Sequence, residues 1–140
     1  MHIQHTRSYC VSEQITHYLD SNNLLPEVQS AYRRFHSTES AVLKVLSDAY
    51  AAADAGQVTL LCVLDLSAAF DTVDHHILLK RLERSFGFGG LVLLWFQSCV
   101  TGRKMCVRYD GVNLNTVLVS YGVPQGSVLG SVLFILYNAD

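Results

Sequence analysis

Five stretches of the chain carry apolar residues at helical spacing, and the segments between them run continuously apolar, alternate, or show no period. Val11, Ile15, Tyr18 and Leu19 predict an amphipathic helix within 11–25, which Asn22-Asn23 end ahead of a turn at Leu24-Leu25-Pro26. A second helix starts behind Ser37, a good N-cap, with Glu39 in the first turn where the helix dipole favours an anion. Its stripe is Ala41, Val42, Val45, Leu46, Ala49 and Ala53, and Gly56 is placed to close it. The run 58–64 (VTLLCVL) has the length and β-branched content of a strand buried on both faces. Asp74 is a good N-cap for a third helix through Ile77, Leu78 and Leu82 toward Phe86. After the break at Gly87-Phe88-Gly89-Gly90, an apolar helix over 91–100 closes at Thr101-Gly102. Residues 103–109 alternate, Asp110-Gly111 is a hairpin turn signal, and 116–121 is the return strand after a loose 112–115. A last, buried helix begins near Val128. The order is an α+β pattern rather than βα alternation.

Chemistry enters where these elements end on polar groups. The run 58–64 ends on Asp65, and Asp71 and Asp74 follow within nine residues. A carboxylate ending a buried strand needs compensation, which a divalent cation supplies; the plain alternative is an exposed strand end followed by turn and cap residues. His75 and His76 are adjacent on a helix and diverge by about a quarter turn, so they read as exposed first-turn residues rather than ligands of one ion. The aperiodic segment 27–37 interleaves Tyr32 and Phe35 with Arg33, Arg34 and His36. That mixture either holds phosphates and bases or is a solvated loop with two aromatics tucked in. Gly122, Pro124 and Gly126 form a tight backbone passage beside a helix N-terminus, with Gln125 able both to donate and to accept. An ordinary strand-to-helix turn has the same outline.

Composition narrows the class. With 50% hydrophobic and 16% charged residues the chain is a folded domain or a piece of one, and a formal net charge of −2 gives no long-range attraction to nucleic acid or anionic lipid. Basic residues nevertheless gather at Arg33-Arg34, at Lys80-Arg81 with Arg84, and at Arg103-Lys104 with Arg108. Cys10, Cys62, Cys99 and Cys106 lack metal or disulfide spacing and read as buried free thiols of a reducing compartment. No apolar run is long enough to span a bilayer, and residues 1–10 lack the apolar core of a signal peptide, which suggests a loose lead-in.

Three strings, 25–39 (LPEVQSAYRRFHSTE), 64–75 (LDLSAAFDTVDH) and 122–130 (GVPQGSVLG), in this order and spacing resemble the reverse transcriptases of non-LTR (LINE-like, CR1/Jockey-type) retrotransposons. The resemblance covers residues from about Val11 onward. It implies the fingers and partial palm of a right-hand polymerase, an antiparallel sheet packed on helices. In that scheme 11–57 is the fingers-like part and 58–140 the partial palm. By resemblance, Asp65 matches the first catalytic aspartate and a Mg²⁺ ligand, and Phe70 the aromatic gate against a 2′-hydroxyl. Gln125 and Gly126 match the element lining nucleotide and template, and Arg33 and Arg34 match basic fingers positions near triphosphate or template. The implied partners are an RNA template, a DNA primer and deoxynucleoside triphosphates, in nucleus or cytoplasm and without a membrane.

One departure weighs against activity. The family's next motif, a Tyr/Phe-x-Asp-Asp hairpin, brings further metal-binding carboxylates, and this sequence contains no Asp-Asp pair. Tyr137-Asn138-Ala139-Asp140 follows Gln125 too closely and reads as the end of the preceding helix. Ser131 also stands where relatives usually carry proline. The expectation is a truncated polymerase domain, incomplete as a metal site and inactive alone, with an unpaired sheet edge that invites self-association. The competing expectation is a co-opted, non-catalytic nucleic-acid-binding or interaction module.

Overall fold

The computed structural model describes the backbone of residues 2–139 and side chains from Tyr9 onward; Met1 of the lead-in and Asp140 of the 137–140 string lie outside the described residues. The chain divides into two compact units, one from the described parts of Met1–Leu25 and Ala68–Asp140, the other from Pro26–Ser67. The architecture is α+β, with helices α1 (His2–Ser21), α2 (Thr38–Asp54), α3 (His75–Arg84), α4 (Gly90–Val100) and α5 (Val128–Asn138) and small antiparallel sheets.

In the first unit the core lies among α1, α3, α4 and α5. Ile15 and Leu19 of α1, Leu78 and Leu82 of α3, Phe96 and Val100 of α4, and Leu129, Val132, Leu133 and Leu136 of α5 are buried together with Val73, Phe86, Phe88 and Val123. Each of these large side chains contributes about 1.5–3 kcal/mol of apolar burial. α1 begins at His2, so helix covers the segment expected as a loose lead-in. Residues 1–25 contain no Gly or Pro to stop a helix once its packed C-terminal half has formed. It ends at the asparagine pair as expected. Asn23 takes a φ of 51°, and the Asn23 and Leu24 N–H groups donate to Asp20 O and Leu19 O at 3.2 and 3.0 Å. The Tyr18 hydroxyl donates to Phe86 O at 3.0 Å while its ring packs 5.1 Å from Phe88, tying α1 to the break before α4. Arg81 turns inward, donating from Nη1 to Tyr137 O with its guanidinium 5.7 Å from the Tyr137 ring, so it joins α3 to α5 instead of adding to a basic surface.

The hairpin forms around the expected turn as two short ladders, one of which takes in Val112–Asn113, expected to be loose. β1 (Lys104–Met105) pairs with β4 (Val117–Leu118), and β2 (Arg108–Tyr109) pairs with β3 (Val112–Asn113) around Asp110-Gly111, whose φ values of 47° and 77° suit a tight two-residue turn. Met105, Val107, Tyr109 and Val117 are exposed, so this hairpin adds nothing to the core.

In the second unit α2 is capped at both ends as its sequence predicts. Ser37 and Ser40 form a reciprocal capping box, and Gly56 and Gln57 donate to Ala53 O and Ala52 O at 2.9 and 2.8 Å. Its apolar stripe, however, contains no buried residue. The expected strand at 58–64 is absent. These residues have no regular structure and no ladder partner among the described residues, and Val58 and Leu60 are 97% and 93% exposed. An apolar run makes a strand possible, but only a neighbouring strand satisfies its N–H and C=O groups. The cysteines also differ from expectation: all are free, but Cys10, Cys62 and Cys106 are exposed and only Cys99 is half-buried. Among the described residues no helix is long and apolar enough to cross a membrane.

Candidate active site

The sequence strings around Phe70 and Gln125 meet in the first unit. Ala68 turns the chain with a φ of 51° into a single 3-10 turn at Ala69–Asp71, which leaves the Phe70 ring half-buried, 4.8 Å from Phe134 of α5. Two backbone bonds then join the strings: Gly122 N–H donates to Val73 O at 2.7 Å and Val123 N–H to Phe70 O at 2.8 Å. Gly122 is required twice at this crossing. Its φ is 84°, and a Cβ there would stand 2.9 Å from Asp71 Cα and 3.0 Å from Phe70 O. The Gly122 carbonyl accepts from His75 Nε2–H at 2.8 Å and from Arg103 Nη2–H at 2.9 Å.

Downstream the passage is held as firmly. Ser127 Oγ donates to Pro124 O at 2.8 Å and accepts from Gly130 N–H at 2.9 Å, so one hydroxyl closes the turn and caps α5. A Cβ on Gly130 would run into the Pro124 carbonyl, so α5 packs against its own lead-in only with glycine there. Gln125 and Gly126 are exposed at the tip of this anchored turn. At the start of α3 is a hollow of about 350 Å³ whose polar lining includes Asp74, His76, Gln97, Thr101, Ser120 and Tyr121. An exposed amide on a fixed turn, with a half-buried ring across the backbone crossing, is suited to holding a planar or sugar-bearing ligand.

Asp74 is the α3 cap, its carboxylate accepting from His76 N–H at 2.8 Å and Ile77 N–H at 3.0 Å. Asp71 is exposed in the 3-10 turn, and its backbone forms the wall against Gly122. His76 is exposed as expected, but His75 is not: it is 8% exposed, with its ring on the Gly122 carbonyl. No local signal marks His75 or Arg103, because their shared acceptor lies 47 residues from one and 19 from the other.

Asp65, Arg33 and Arg34 belong to the second unit. Asp65 is exposed in the irregular segment that was expected to be a buried strand. Arg33 Nη1 donates to Pro26 O at 3.2 Å and Glu27 O at 3.3 Å, which bends the loop around its guanidinium. Arg34 is exposed, its guanidinium 5.1 Å from the ring of Phe35, which is itself 92% exposed. Tyr32 and Phe35 hold φ values of 54° and 64°, costly for residues with a Cβ, and both present their rings to solvent instead of tucking them into a core. Among the described residues no three His, Cys, Asp or Glu side chains gather to hold a metal ion. Mg²⁺ takes near-octahedral oxygen coordination, so Asp65 with the residues described does not make a fitting site for it.

Comparison with known proteins gives one consistent answer. Residues 4–140 match the sequence family described as reverse transcriptase (RNA-dependent DNA polymerase). The chain is 30% identical over 130 residues to the probable RNA-directed DNA polymerase from transposon X-element of Drosophila melanogaster, covering 93% of this chain and 14% of that protein. It is 32% identical over 129 residues to the RNA-directed DNA polymerase from mobile element jockey of Drosophila funebris, covering 92% and 13% respectively. The chain thus spans only a small part of the curated relatives it matches. No solved structure matches it.

Proposed function

Because this chain belongs to the reverse transcriptase (RNA-dependent DNA polymerase) family, we propose that it forms the fingers and part of the palm of such a polymerase, one wall of the site that copies RNA into DNA. The observation that carries this reading is the crossing of the Phe70 and Gln125 strings, held by Val123 N–H on Phe70 O at 2.8 Å. Phe70, backed by Phe134, lies against the sugar of an incoming nucleotide and leaves no room for a 2′-hydroxyl. Gln125 and Gly126 line nucleotide and template, where an exposed amide and a bare backbone allow close approach. Arg34, not Arg33, meets the phosphates, since Arg33 already donates to two loop carbonyls. Tyr32 and Phe35 offer rings on which template bases stack.

Asp65 contributes to the Mg²⁺ site of the whole polymerase, together with carboxylates that this sequence does not supply. The 140-residue chain alone therefore catalyses no nucleotidyl transfer. Primer extension on poly(rA)/oligo(dT) with Mg²⁺ tests this: no template-dependent product is expected from the chain by itself, and product lost on Asp65→Ala would refute it. Placed in the matched stretch of the jockey polymerase, the same residues are expected to support DNA synthesis. There Asp65→Ala abolishes synthesis and Phe70→Val admits ribonucleotides; unchanged discrimination in the Phe70 variant would remove Phe70 from the nucleotide site.

A further inference from the structure

We propose that His75 and Arg103 are positioning residues that set the Pro124–Gln125–Gly126 turn by sharing one acceptor, the carbonyl oxygen of Gly122. The idea rests on the reading above, in which this turn lines the nucleotide. A backbone carbonyl has two lone pairs, and here both are engaged, by His75 Nε2–H at 2.8 Å and Arg103 Nη2–H at 2.9 Å. The carbonyl's orientation is then fixed from two sides, by the first turn of α3 and by the residue that leads into β1. Pro124 has no N–H to contribute and its carbonyl is engaged by Ser127, so the direction of Gln125 depends on the anchors at Gly122 and Ser127.

Both donors look selected for this contact rather than for packing. An apolar side chain would fill the buried space of His75 but leave the acceptor short of a partner. The Nε–H of Arg103 is buried with no hydrogen-bond partner among the described residues. A guanidinium that leaves one donor unsatisfied keeps its pose only because Nη2 gains more at Gly122, and a second, weaker contact from Nη2 to Tyr121 O at 3.4 Å points the same way. Because a carbonyl only accepts, the contact also specifies the imidazole tautomer, with the proton on Nε2.

Isotope-labelled chain tests the proposal without any variant: ¹⁵N spectra of the His75 ring are expected to show the Nε2–H form, and an Nδ1–H form overturns it. Amide exchange gives the second readout, since Gly122 and Val123 N–H groups are the two bonds of the crossing. His75→Leu and Arg103→Met are each expected to speed exchange at Gly122, Val123 and Ser127 by about tenfold, the effect of one lost hydrogen bond. Exchange at Phe96 and Val100 of α4 stays unchanged, and His75→Gln, whose amide N–H reaches the position of Nε2–H, restores protection. Unchanged exchange in both variants, or a His75→Gln no better than His75→Leu, overturns it. If a variant fails to fold, the tautomer measured on the unsubstituted chain decides. None of these readouts requires nucleotidyl transfer, so their failure removes the positioning role and leaves the polymerase reading to its own experiment.

Discussion

Substituting Gly122 by alanine tests the crossing of the two strings most directly. The new Cβ faces two costs. The left-handed backbone, at a φ of 84°, penalises any residue with a Cβ by about 1–2 kcal/mol. The methyl also stands 2.9, 3.0 and 3.2 Å from Asp71 Cα, Phe70 O and Asp71 O, all backbone atoms that no rotamer change can clear. Relief therefore means separating the two segments of the crossing and stretching Gly122 N–H to Val73 O and Val123 N–H to Phe70 O, each worth about 0.5–1.5 kcal/mol. Together the loss is about 2–5 kcal/mol, a large share of the roughly 5–15 kcal/mol that holds a typical domain folded. Urea unfolding followed by the fluorescence of Trp95, the single tryptophan, reads the first unit. With a slope of about 2 kcal/mol per molar urea, the midpoint falls by about 1–2.5 M. Gly126→Ala is the control: its φ is 76° but nothing lies within 4 Å of the added carbon, so only strain remains, about 0.5–1 M. Equal shifts in the two variants would refute the crowding at Asp71.

The thiols give a map of exposure. Cys10, Cys62 and Cys106 should react quickly with maleimide near neutral pH, and Cys99 slowly, because burial pushes its thiol up, partly offset by hydrogen bonding with Ser98, and only the thiolate attacks. Site-resolved mass spectrometry checks this, and a Cys62 as slow as Cys99 would mean that 58–64 is covered. At the start of α2, hydrogen bonding to Ser37 holds Glu39 below its ordinary value, followed by the helix backbone, against a small opposing effect of burial. A carboxylate lowered in the folded state stabilises above its unfolded value, and that contribution is lost as the pH falls through the lowered one. The protection of α2 amides, taken relative to their intrinsic exchange rates at each pH, should therefore fall on acidification through that window in the native chain and show a flatter pH dependence with Glu39→Gln.

What could be read from the sequence was local. The asparagine pair after α1, Ser37 and Gly56 around α2, Asp74 before α3 and Asp110-Gly111 in the hairpin all act within a few residues, and each does what its chemistry implies. The buried role of His75 and the inward turns of Arg81 and Arg103 depend on carbonyls 47, 56 and 19 residues away respectively, and no neighbouring residue announces them. The apolar run ending at Asp65 looked like the centre of a sheet because hydrophobicity records what a segment can bury, whereas a strand exists only where another strand faces it. Family resemblance drew attention to Phe70 and Gln125, whose strings the backbone brings to one crossing; it gives no distinction between Arg33, which donates to two loop carbonyls, and Arg34, which lies beside the Phe35 ring.

The first unit is discontinuous, with α1 packed against α5 although residues 26–67 and the whole α3–α4 segment are synthesised between them. On a ribosome Ile15 and Leu19 emerge before α5 and find no cover from it until more than a hundred further residues have been made. Joining the ends of so long a loop costs entropy that only completed packing returns, so α1 waits as an exposed amphipathic helix and is the natural client of whatever shields nascent apolar faces. The order of translation thus delays the core until α5, and with it the anchored turn of Gln125, has left the exit tunnel.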